Sequence, residues 1–366
     1  MSDAKPISSS VRDIESVLAA YIDPHLGCSL LDAGAIDAIA VNTGCAELKI
    51  RLPYPCERHS AELVQLLREY LLQLPDIEDV RVDVHWQVTS QNVQQNLSPL
   101  PGIKNIIAVA SGKGGVGKST VAANLALALV SEGAAVGMLD ADIYGPSQPK
   151  MLSAANRKPK PLPDKKIEPI ESLGVKIMSM GFLVDEAEPM IWRGPMVSQA
   201  LHQLLHDTVW GELDYLIVDL PPGTGDAHLS LVQKIPLAGA VVVTTPQDIA
   251  LLDARKGLRM FDKVSVNVLG VIENMSSHIC TQCGHEDDIF GQGGGADLAE
   301  QEQVDFLGQL PLDRKVREQA DMGVPIVAAQ PDGEISQRYR EIALKAIARL
   351  SLATEVAFPE IAILDD

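Results

Sequence analysis

The sequence is short of cysteine and of long apolar runs, and each shortage excludes a class of protein. Five cysteines in 366 residues do not make a disulfide framework. No run approaches the ~18 apolar residues of a membrane helix, and the opening residues MSDAKPISSS lack the apolar core of a secretory signal. We therefore predict a cytoplasmic protein. In that reducing compartment a close cysteine pair binds metal or is redox-active rather than structural.

Basic residues are also in short supply. The chain has 30 Lys and Arg against 49 Asp and Glu, a net charge of −19. Because phosphate contacts need clustered basic side chains, this balance argues against general binding to nucleic acid or to anionic membranes. The 46% of apolar residues suffice for a large core, and the length suggests two domains of a soluble globular protein.

The first 90 residues have the pattern of a small α+β domain. Stretches whose apolar residues have helical spacing are followed by stretches in which apolar and polar residues alternate. The predicted helices cover residues 10–22 and 62–74, and the predicted strands cover 35–41, 45–52 and 80–88. Residues 91–104 are polar and contain two prolines, so we predict a linker there.

Residues 105–366 follow a different pattern, in which short apolar runs separate helical stretches. Most of these runs show little alternation, as expected for strands that are covered on both faces. Regular strand–helix alternation predicts an α/β domain with a doubly wound, mostly parallel sheet. The strand candidates are NIIAVAS, AVGMLDAD, VKIMSM, YLIVDLP, GAVVVTTP, VLGVIENM and FLGQLPL.

A phosphate-binding loop follows the first of these strands. Residues 111–120, SGKGGVGKST, match the pattern G-x-x-x-x-G-K-[ST] and open a helical stretch. The glycines let backbone N–H groups converge on phosphate oxygens, and the helix N-terminus adds its positive dipole end. We expect Lys118 to reach the β- and γ-phosphates, the Ser119 hydroxyl to bind Mg²⁺, and Thr120 to contact the α-phosphate. The sequence therefore predicts a P-loop NTPase that binds ATP.

Carboxylates end two other predicted strands. Asp219 ends YLIVD, where a Mg²⁺-orienting carboxylate belongs in a P-loop sheet, and the loop that follows it is PPGTGD. Asp140 and Asp142 end MLDAD, where a carboxylate orients an attacking water molecule or a water on Mg²⁺. Either aspartate alone is commonly a turn cap, but beside a P-loop they favour a hydrolytic site.

Cys280 and Cys283 form a C-x-x-C pair, a spacing that usually binds metal, and such a site needs about four ligands. No cysteine follows Cys283 and no histidine follows His285, while the other cysteines belong to the first 90 residues. One chain therefore offers half a site. A two-fold dimer would bring together four thiolates, which can hold either an iron–sulfur cluster or a structural Zn²⁺.

Lys113 adds a second lysine to the P-loop, which an ordinary loop of this kind does not require. With K-G-G-V-G-K, the sequence resembles the deviant Walker A ATPases, a group that includes the nitrogenase iron protein and the chromosome- and septum-positioning ATPases. In that group the first lysine reaches across a dimer interface to the partner's nucleotide. The resemblance therefore implies a homodimer whose geometry depends on ATP.

The chain resembles one family of that group most closely, the Mrp/ApbC iron–sulfur cluster carriers. Their motifs occur here in the family's order over about residues 101–345, including LDADIYGPS, WRGPM, DLPPGTGD, TTPQDIALLDARKG, GVIENMS and IFGQGGG. Residues 10–88 resemble the small domain related to the MIP18 group. Cys56 takes the place of a cysteine common in that domain, but Glu57 follows it where proline is usual.

The resemblance also implies roles for individual residues. Lys113 would be the cross-dimer lysine, Asp142 would position the hydrolytic water, and Asp219 would belong to the second switch. Asn274 would contact adenine, and the base would be flanked by residues near Pro311 and Asp313. The loop that would hold phosphate and Mg²⁺ comprises Gly112, Lys113, Gly114, Gly115, Val116, Gly117, Lys118, Ser119 and Thr120.

The sequence thus predicts a cytoplasmic, homodimeric ATPase that hydrolyses ATP slowly. We expect it to hold a cluster, [4Fe–4S] by preference, between paired Cys280 and Cys283, and to deliver it to apo-proteins, with no nucleic acid or membrane as partner.

One alternative is a positioning ATPase, which would need a basic surface, yet the chain ends VAFPEIAILDD. Another is a small-molecule kinase, which would need an Arg-rich lid and give Lys113 no role. A zinc-stabilised ATPase without a cluster is the third.

Overall fold

The computed structural model of the chain describes residues 11–94, 97–143, 145–182, 194–280 and 282–353. Arg193, in the WRGPM motif, and the acidic C-terminal residues lie outside the described residues. Within the described ranges, no helix combines the length and the apolar character that crossing a membrane requires.

The N-terminal unit is a three-stranded sheet covered by two helices. Its elements are α1 (Val11–Ala20), β1 (Ile36–Asn42), β2 (Cys45–Leu52), α2 (His59–Leu71) and β3 (Asp79–Trp86). The central strand β2 pairs antiparallel with β1 and parallel with β3. Every second residue of β2 is buried, which is the alternation expected of a sheet with one covered face. The predicted small α+β unit therefore has the expected elements.

A nine-stranded sheet forms the centre of the larger unit. Its strands are β4 (Ile103–Ala110), β5 (Val136–Asp140), β8 (Ile170–Ser172), β9 (Val175–Ser179), β10 (Leu213–Asp219), β11 (Gly239–Thr244), β12 (Val268–Ile279), β13 (Glu286–Asp287) and β14 (Phe306–Leu312), while β6 (Lys160–Pro161) and β7 (Ile167–Glu168) pair separately. The main order is β12-β11-β4-β10-β5-β9-β8, and β13 and β14 both pair with β12. Only β8 and β13 are antiparallel to their neighbours.

Helices cover both faces of this sheet. They are α3 (Lys118–Ser131), α4 (Gln148–Met151), α5 (Gly194–Asp207), α6 (Asp226–Val232), α7 (Asp248–Lys263), α8 (Gly294–Gln301), α9 (Arg314–Asp321), α10 (Ile326–Ala329) and α11 (Glu334–Ser351). Along β4, Ile107 and Val109 pack in the core with α3 and α11, whereas Ile106 and Ala108 pack in the core with α5 and α7. The predicted doubly wound, mostly parallel fold is confirmed.

The small unit packs on the face that carries α3 and α11, and its apolar core is continuous with the core there. The Arg349 guanidinium of α11 donates to the carbonyl oxygen of Leu26 at 2.7 Å. The segment between the units is also anchored, since the Gln94 side chain donates to the carbonyl oxygen of Val232 at 3.2 Å and accepts from the N–H of Leu237 at 2.7 Å.

Candidate nucleotide and cluster site

The P-loop joins the carboxyl end of β4 to the start of α3, where ligands bind in parallel α/β sheets. Gly112 packs directly on α7, because a Cβ atom there would lie 2.1 Å from the carbonyl oxygen of Asp253. Gly117 precedes α3 with φ of 83°, and a Cβ there would lie 2.2 Å from Asn274 Nδ2. Both positions therefore require glycine. Gly114 and Gly115 are exposed at the tip of the loop.

Lys118 and Asp219 form a buried ion pair beneath the loop. Lys118 Nζ also lies 3.2 Å from Ser119 Oγ. The amide of Gln148 completes the group, since its Nε2 donates to Asp219 Oδ2 and to the carbonyl oxygen of Ser119, both at 2.9 Å. The structure thus brings Lys118, Ser119 and Asp219 together from two segments about a hundred residues apart.

Asp140 is fully buried beside this group. Its Oδ2 accepts from Ser147 N at 3.0 Å, from Gln148 N at 3.1 Å and from Ser179 Oγ at 3.1 Å. Burial, and then the negative charge of Asp219, raise the pKa of Asp140 to about 7 despite these donors. The negative charges of two adjacent carboxylates thus repel each other.

These residues fit a bound Mg²⁺ ion. Hard oxygen ligands are what this ion prefers, and the Ser119 hydroxyl and the Asp219 carboxylate lie around the Lys118 ammonium. The mutual repulsion of Asp140 and Asp219 marks a place where an added cation would be stabilised. Asp142 lies close by, buried, with its Oδ1 accepting from Gly145 N at 3.2 Å.

Lys113 differs from Lys118 in being exposed. The backbone of Lys113 is fixed by a hydrogen bond, since its carbonyl oxygen accepts from Ser111 Oγ at 3.0 Å. Next to the loop, α7 exposes Ile249 and Leu252, which are 64% and 57% accessible. An exposed lysine therefore borders an exposed apolar surface.

The residues expected around the base are placed separately. Asn274 Nδ2 donates to the carbonyl oxygen of Val116 at 2.8 Å, so this side chain holds the P-loop from below. Pro311 and Asp313 instead line a cavity of about 380 Å³ together with Ile279, and Asp313 caps α9 by accepting from Lys315 N at 2.6 Å. Asn274 does not line that cavity.

The cysteine pair lies in the turn that follows β12. Cys280 N donates to the carbonyl oxygen of His285 at 2.8 Å, and Gly284 N donates back to that of Cys280 at 2.9 Å. Cys280 is half-buried and Cys283 is exposed. The backbone N–H groups of Cys283 and Gln282, followed by the Cys283 thiol, lower the pKa of Cys280. The turn thus favours the thiolate, the form that binds metal.

The described residues of one chain provide no third ligand for this cysteine pair. Among the described residues, one group of three or more Cys, His, Asp or Glu side chains has converging ligand atoms, and it does not include Cys280 or Cys283. His278 is engaged elsewhere, with its Nδ1 3.1 Å from the carbonyl oxygen of Leu312. Cys56 is also buried away from this turn, and burial raises the pKa of its thiol to about 12.

Sequence reasoning missed several polar residues that build the site. Gln148 bridges the P-loop and Asp219, and Ser179 supports Asp140 from the neighbouring strand. Glu273, fully buried in β12, accepts from Gly295 N and so fastens the IFGQGGG loop. A buried glutamate inside the apolar run VLGVIENM was the available signal for Glu273. The sequence offered no comparable signal for Gln148 or Ser179.

A parallel sheet with this P-loop, its buried lysine and carboxylates on two neighbouring strands defines a P-loop ATPase. Residues 102–347 match the family described as the NUBPL iron-transfer P-loop NTPase, and residues 12–84 match the family described as an iron–sulfur cluster assembly protein. The chain belongs to the NUBPL iron-transfer P-loop NTPase family, with the assembly-protein domain in front.

Relatives of known function agree with this assignment. The iron–sulfur cluster carrier protein of Haemophilus influenzae is 45% identical over 355 residues, which cover 96% of each chain. The mouse iron–sulfur cluster transfer protein NUBPL is 49% identical over 74% of this chain and 84% of its own length. A nucleotide-binding protein of Archaeoglobus fulgidus, solved in complex with ADP, is 39% identical over 61% of this chain and 87% of its own, with a TM-score of 0.54. The predictions of an ATPase and of the iron–sulfur carrier family are confirmed.

Proposed function

We propose that two copies of this chain hold one iron–sulfur cluster between them, [4Fe–4S] by preference, and transfer it to apo-proteins in the cytoplasm. The observation that carries the proposal is the turn at Cys280 and Cys283. Its thiols are accessible, the pKa of Cys280 is lowered, and the described part of one chain adds no further ligand. A second copy supplies the two missing thiolates, and four thiolates suffice for the cluster.

ATP would act through the residues beneath the P-loop. Bound Mg²⁺ supplies positive charge against the phosphates, and the residues that would hold it are Ser119 and Asp219. Lys118 would leave its ion pair with Asp219 to neutralise the γ-phosphate, while Asp142 orients the attacking water. Lys113, exposed at the loop, would reach the nucleotide of the partner copy. The base would lie against Asn274, Pro311 and Asp313.

Strand β12 gives the two sites a physical connection. Asn274 on this strand bonds to the P-loop carbonyl of Val116, and Cys280 follows the end of the same strand. At ~3.3 Å per residue the two positions are at most about 20 Å apart. A change in the P-loop on nucleotide binding would therefore reach the cysteine turn along one rigid element, which is how ATP would alter cluster affinity.

The domain division forms part of the same proposal. Residues 1–90 would be a small domain and residues 91–104 a linker, and residues 105–366 would carry both the ATPase and the cysteine pair. Recipient apo-proteins, rather than nucleic acid or membrane, would be the partners, and the net charge of −19 supports this choice.

Anaerobic reconstitution with iron and sulfide tests the proposal. Iron, acid-labile sulfide and zinc are counted per dimer in the wild type and in the double variant Cys280→Ser, Cys283→Ser, and we expect about four sulfide ions per dimer in the wild type only. Sulfide identifies the cluster, because a single metal ion bound at another site brings none. The variant Cys28→Ser, Cys45→Ser is the matched control and should load normally, because both side chains belong to the small unit. A brown, sulfide-containing Cys280→Ser, Cys283→Ser protein, or a wild type that binds zinc at Cys280 and Cys283 and takes up no sulfide, would contradict the proposal.

The coupling to ATP is tested separately by transfer to a recipient apo-protein. We expect the transfer rate with ATP to fall at least about tenfold in Lys118→Ala, because the γ-phosphate loses its positive partner. Equal rates for the wild type and the variant would show that nucleotide and cluster are uncoupled, without affecting the ligand assignment.

A further inference from the structure

A second group of metal-binding side chains lies in the small unit, far in sequence from the cysteine pair. Asp23 and His25 belong to the loop after α1, and His59 is the first residue of α2. One ligand atom from each lies within 4.8 Å of the other two. Over the ranges that the structure describes, it is the one group of three or more such side chains that converges in this way.

These three side chains are shielded from solvent. Asp23 is 0% exposed and His25 6%, and the side chain of His59 is 12% exposed. The two imidazole rings meet edge to face with centroids 4.6 Å apart, and His25 Nδ1 lies 4.0 Å from Asp23 Oδ1. Two imidazoles and one carboxylate thus meet in a place that is almost closed to water.

His59 provides the observation that points to a ligand. Its Nε2 is buried and has no hydrogen-bond partner, while its Nδ1 lies 3.8 Å from the exposed carboxylate of Glu62. Unpartnered buried polar atoms are uncommon in native proteins and call for an explanation, such as an ion. The backbone at this point is fixed, since His59 N donates to Glu132 Oε2 at 3.2 Å.

Asp23 is held in position just as firmly. The Tyr54 hydroxyl lies 3.2 Å from both of its carboxylate oxygens, and Oδ1 also accepts from His25 N at 2.9 Å and from Leu26 N at 2.8 Å. Supporting hydrogen bonds of this kind around a ligand orient it for a metal ion.

We propose that Asp23, His25 and His59 bind one divalent transition-metal ion, of which Zn²⁺ and Fe²⁺ fit best. Two imidazoles and one carboxylate form a donor set that both ions accept, whereas Ca²⁺ and Mg²⁺ prefer oxygen ligands alone. Around a tetrahedral ion with bonds of ~2.1 Å, ligand atoms are about 3.4 Å apart. Small side-chain rotations would therefore close the group. The site has no thiolate and is independent of the cluster site at Cys280 and Cys283.

The test uses the full chain with Cys280→Ser and Cys283→Ser, so that the thiolate pair cannot take up metal. Calorimetric titration with Zn²⁺, and anaerobic titration with Fe²⁺, measure affinity and stoichiometry. We expect one ion per chain, and at least about a 100-fold loss of affinity when His25→Gln and His59→Gln are added. The two titrations give the relative affinity of the site for Zn²⁺ and Fe²⁺.

The matched control is His202→Gln with His206→Gln. These two histidines of α5 have rings stacked 4.1 Å apart, so they are the chain's other close imidazole pair among the described residues. We expect the control to keep the tight site. Unchanged binding after loss of His25 and His59, or loss of the site in the control, would overturn the assignment.

A further measurement avoids substitutions in the small unit, where removal of buried side chains can unfold the protein. X-ray absorption of the Zn²⁺-loaded control protein, still carrying Cys280→Ser and Cys283→Ser, reports the ligands directly. The proposal requires scattering from two imidazoles and one oxygen donor. A spectrum with fewer than two imidazoles, or no bound zinc after desalting, would refute it.

Discussion

Three buried charged side chains meet beneath the P-loop, namely Lys118, Asp140 and Asp219. A single ammonium cannot neutralise both carboxylates, and burial together with Asp219 raises the pKa of Asp140 to about 7. A residual negative charge that the fold does not neutralise is what a Mg²⁺ site requires before nucleotide arrives. At the residue scale, the charges of the site are therefore incompletely balanced by the protein's own side chains.

This imbalance of charge predicts a pH dependence. Because the pKa of Asp140 is raised in the folded state, its contribution to stability is present below about pH 4 and is lost as the pH rises towards 7. The free energy of unfolding of Asp140→Asn should therefore fall less than that of the wild type between pH 4 and pH 7, and we expect the difference to be on the order of 4 kcal/mol. Urea denaturation at several pH values measures it, with the exposed Asp83→Asn as control. Identical pH profiles for Asp140→Asn and the wild type would contradict the prediction.

The contact between Gly117 and Asn274 makes a second prediction. In Gly117→Ala, the added methyl collides with Asn274 Nδ2 and the residue also keeps its φ of 83°, so we expect a loss of stability of about 2–3 kcal/mol. In an Asn274→Ala background only the backbone strain remains, and the same change should cost about 1 kcal/mol less. Thermal and urea denaturation of the wild type, the two single variants and the double variant measure the coupling between residues 117 and 274. Additive effects would show that the side chains do not touch.

At the scale of elements, α3 links the nucleotide site to the small unit. It begins with Lys118 at the P-loop, and Glu132 follows its last turn. The Glu132 carboxylate, 1% exposed, accepts from the backbone N–H groups of Arg58 at 2.9 Å and His59 at 3.2 Å, just before and at the start of α2. One helix thus contacts both phosphate-binding and histidine-containing regions.

Removal of this contact should loosen the junction between the units. Glu132→Ala deletes two hydrogen bonds to a buried carboxylate, for which we expect a loss of about 2–3 kcal/mol of stability and faster thermolysin cleavage within residues 91–104. Asp332→Ala is the control, since Asp332 pairs with Arg58 at the surface, where an ion pair contributes little. If both variants resist cleavage as the wild type does, the contact does not hold the units together.

At the scale of the whole molecule, the exposed apolar side chains of α7 lie beside the exposed Lys113. Gly112 packs on the carbonyl oxygen of Asp253, so the loop and the helix share one surface. The apolar surface beside this exposed lysine fits the proposed interface between two copies of the chain.

The surface of α7 can be tested by its effect on assembly. Leu252→Glu places a charge on this surface. In the presence of Mg²⁺ and ATP we expect the wild type to form a dimer and this variant to remain a monomer. The variant should still bind nucleotide. Met322→Glu adds the same charge at a 62% exposed methionine elsewhere and should leave the dimer intact. Light scattering coupled to size exclusion measures the mass. A dimer in both variants would place the interface elsewhere.

Most elements of the large sheet could be predicted because their sequence patterns are local. All seven strand candidates correspond to observed strands. β12 runs further than its candidate, to Ile279, because pairing with β13 and β14 extends it beyond the apolar run. The short strands β6, β7, β8 and β13 were missed, since runs of two or three residues are too short to show alternation and are defined by their pairing with neighbouring strands.

The sequence by itself determined the P-loop and the cysteine turn, because each is a run of neighbouring residues whose chemistry depends on backbone geometry over a few positions. Tertiary structure alone decided which distant groups meet. It placed Asp140 against Asp219, brought Asn274 under Val116, and gathered Asp23, His25 and His59 at the junction near Glu132. Such meetings follow from how strands and helices pack, and packing depends on the whole chain at once rather than on any segment of it.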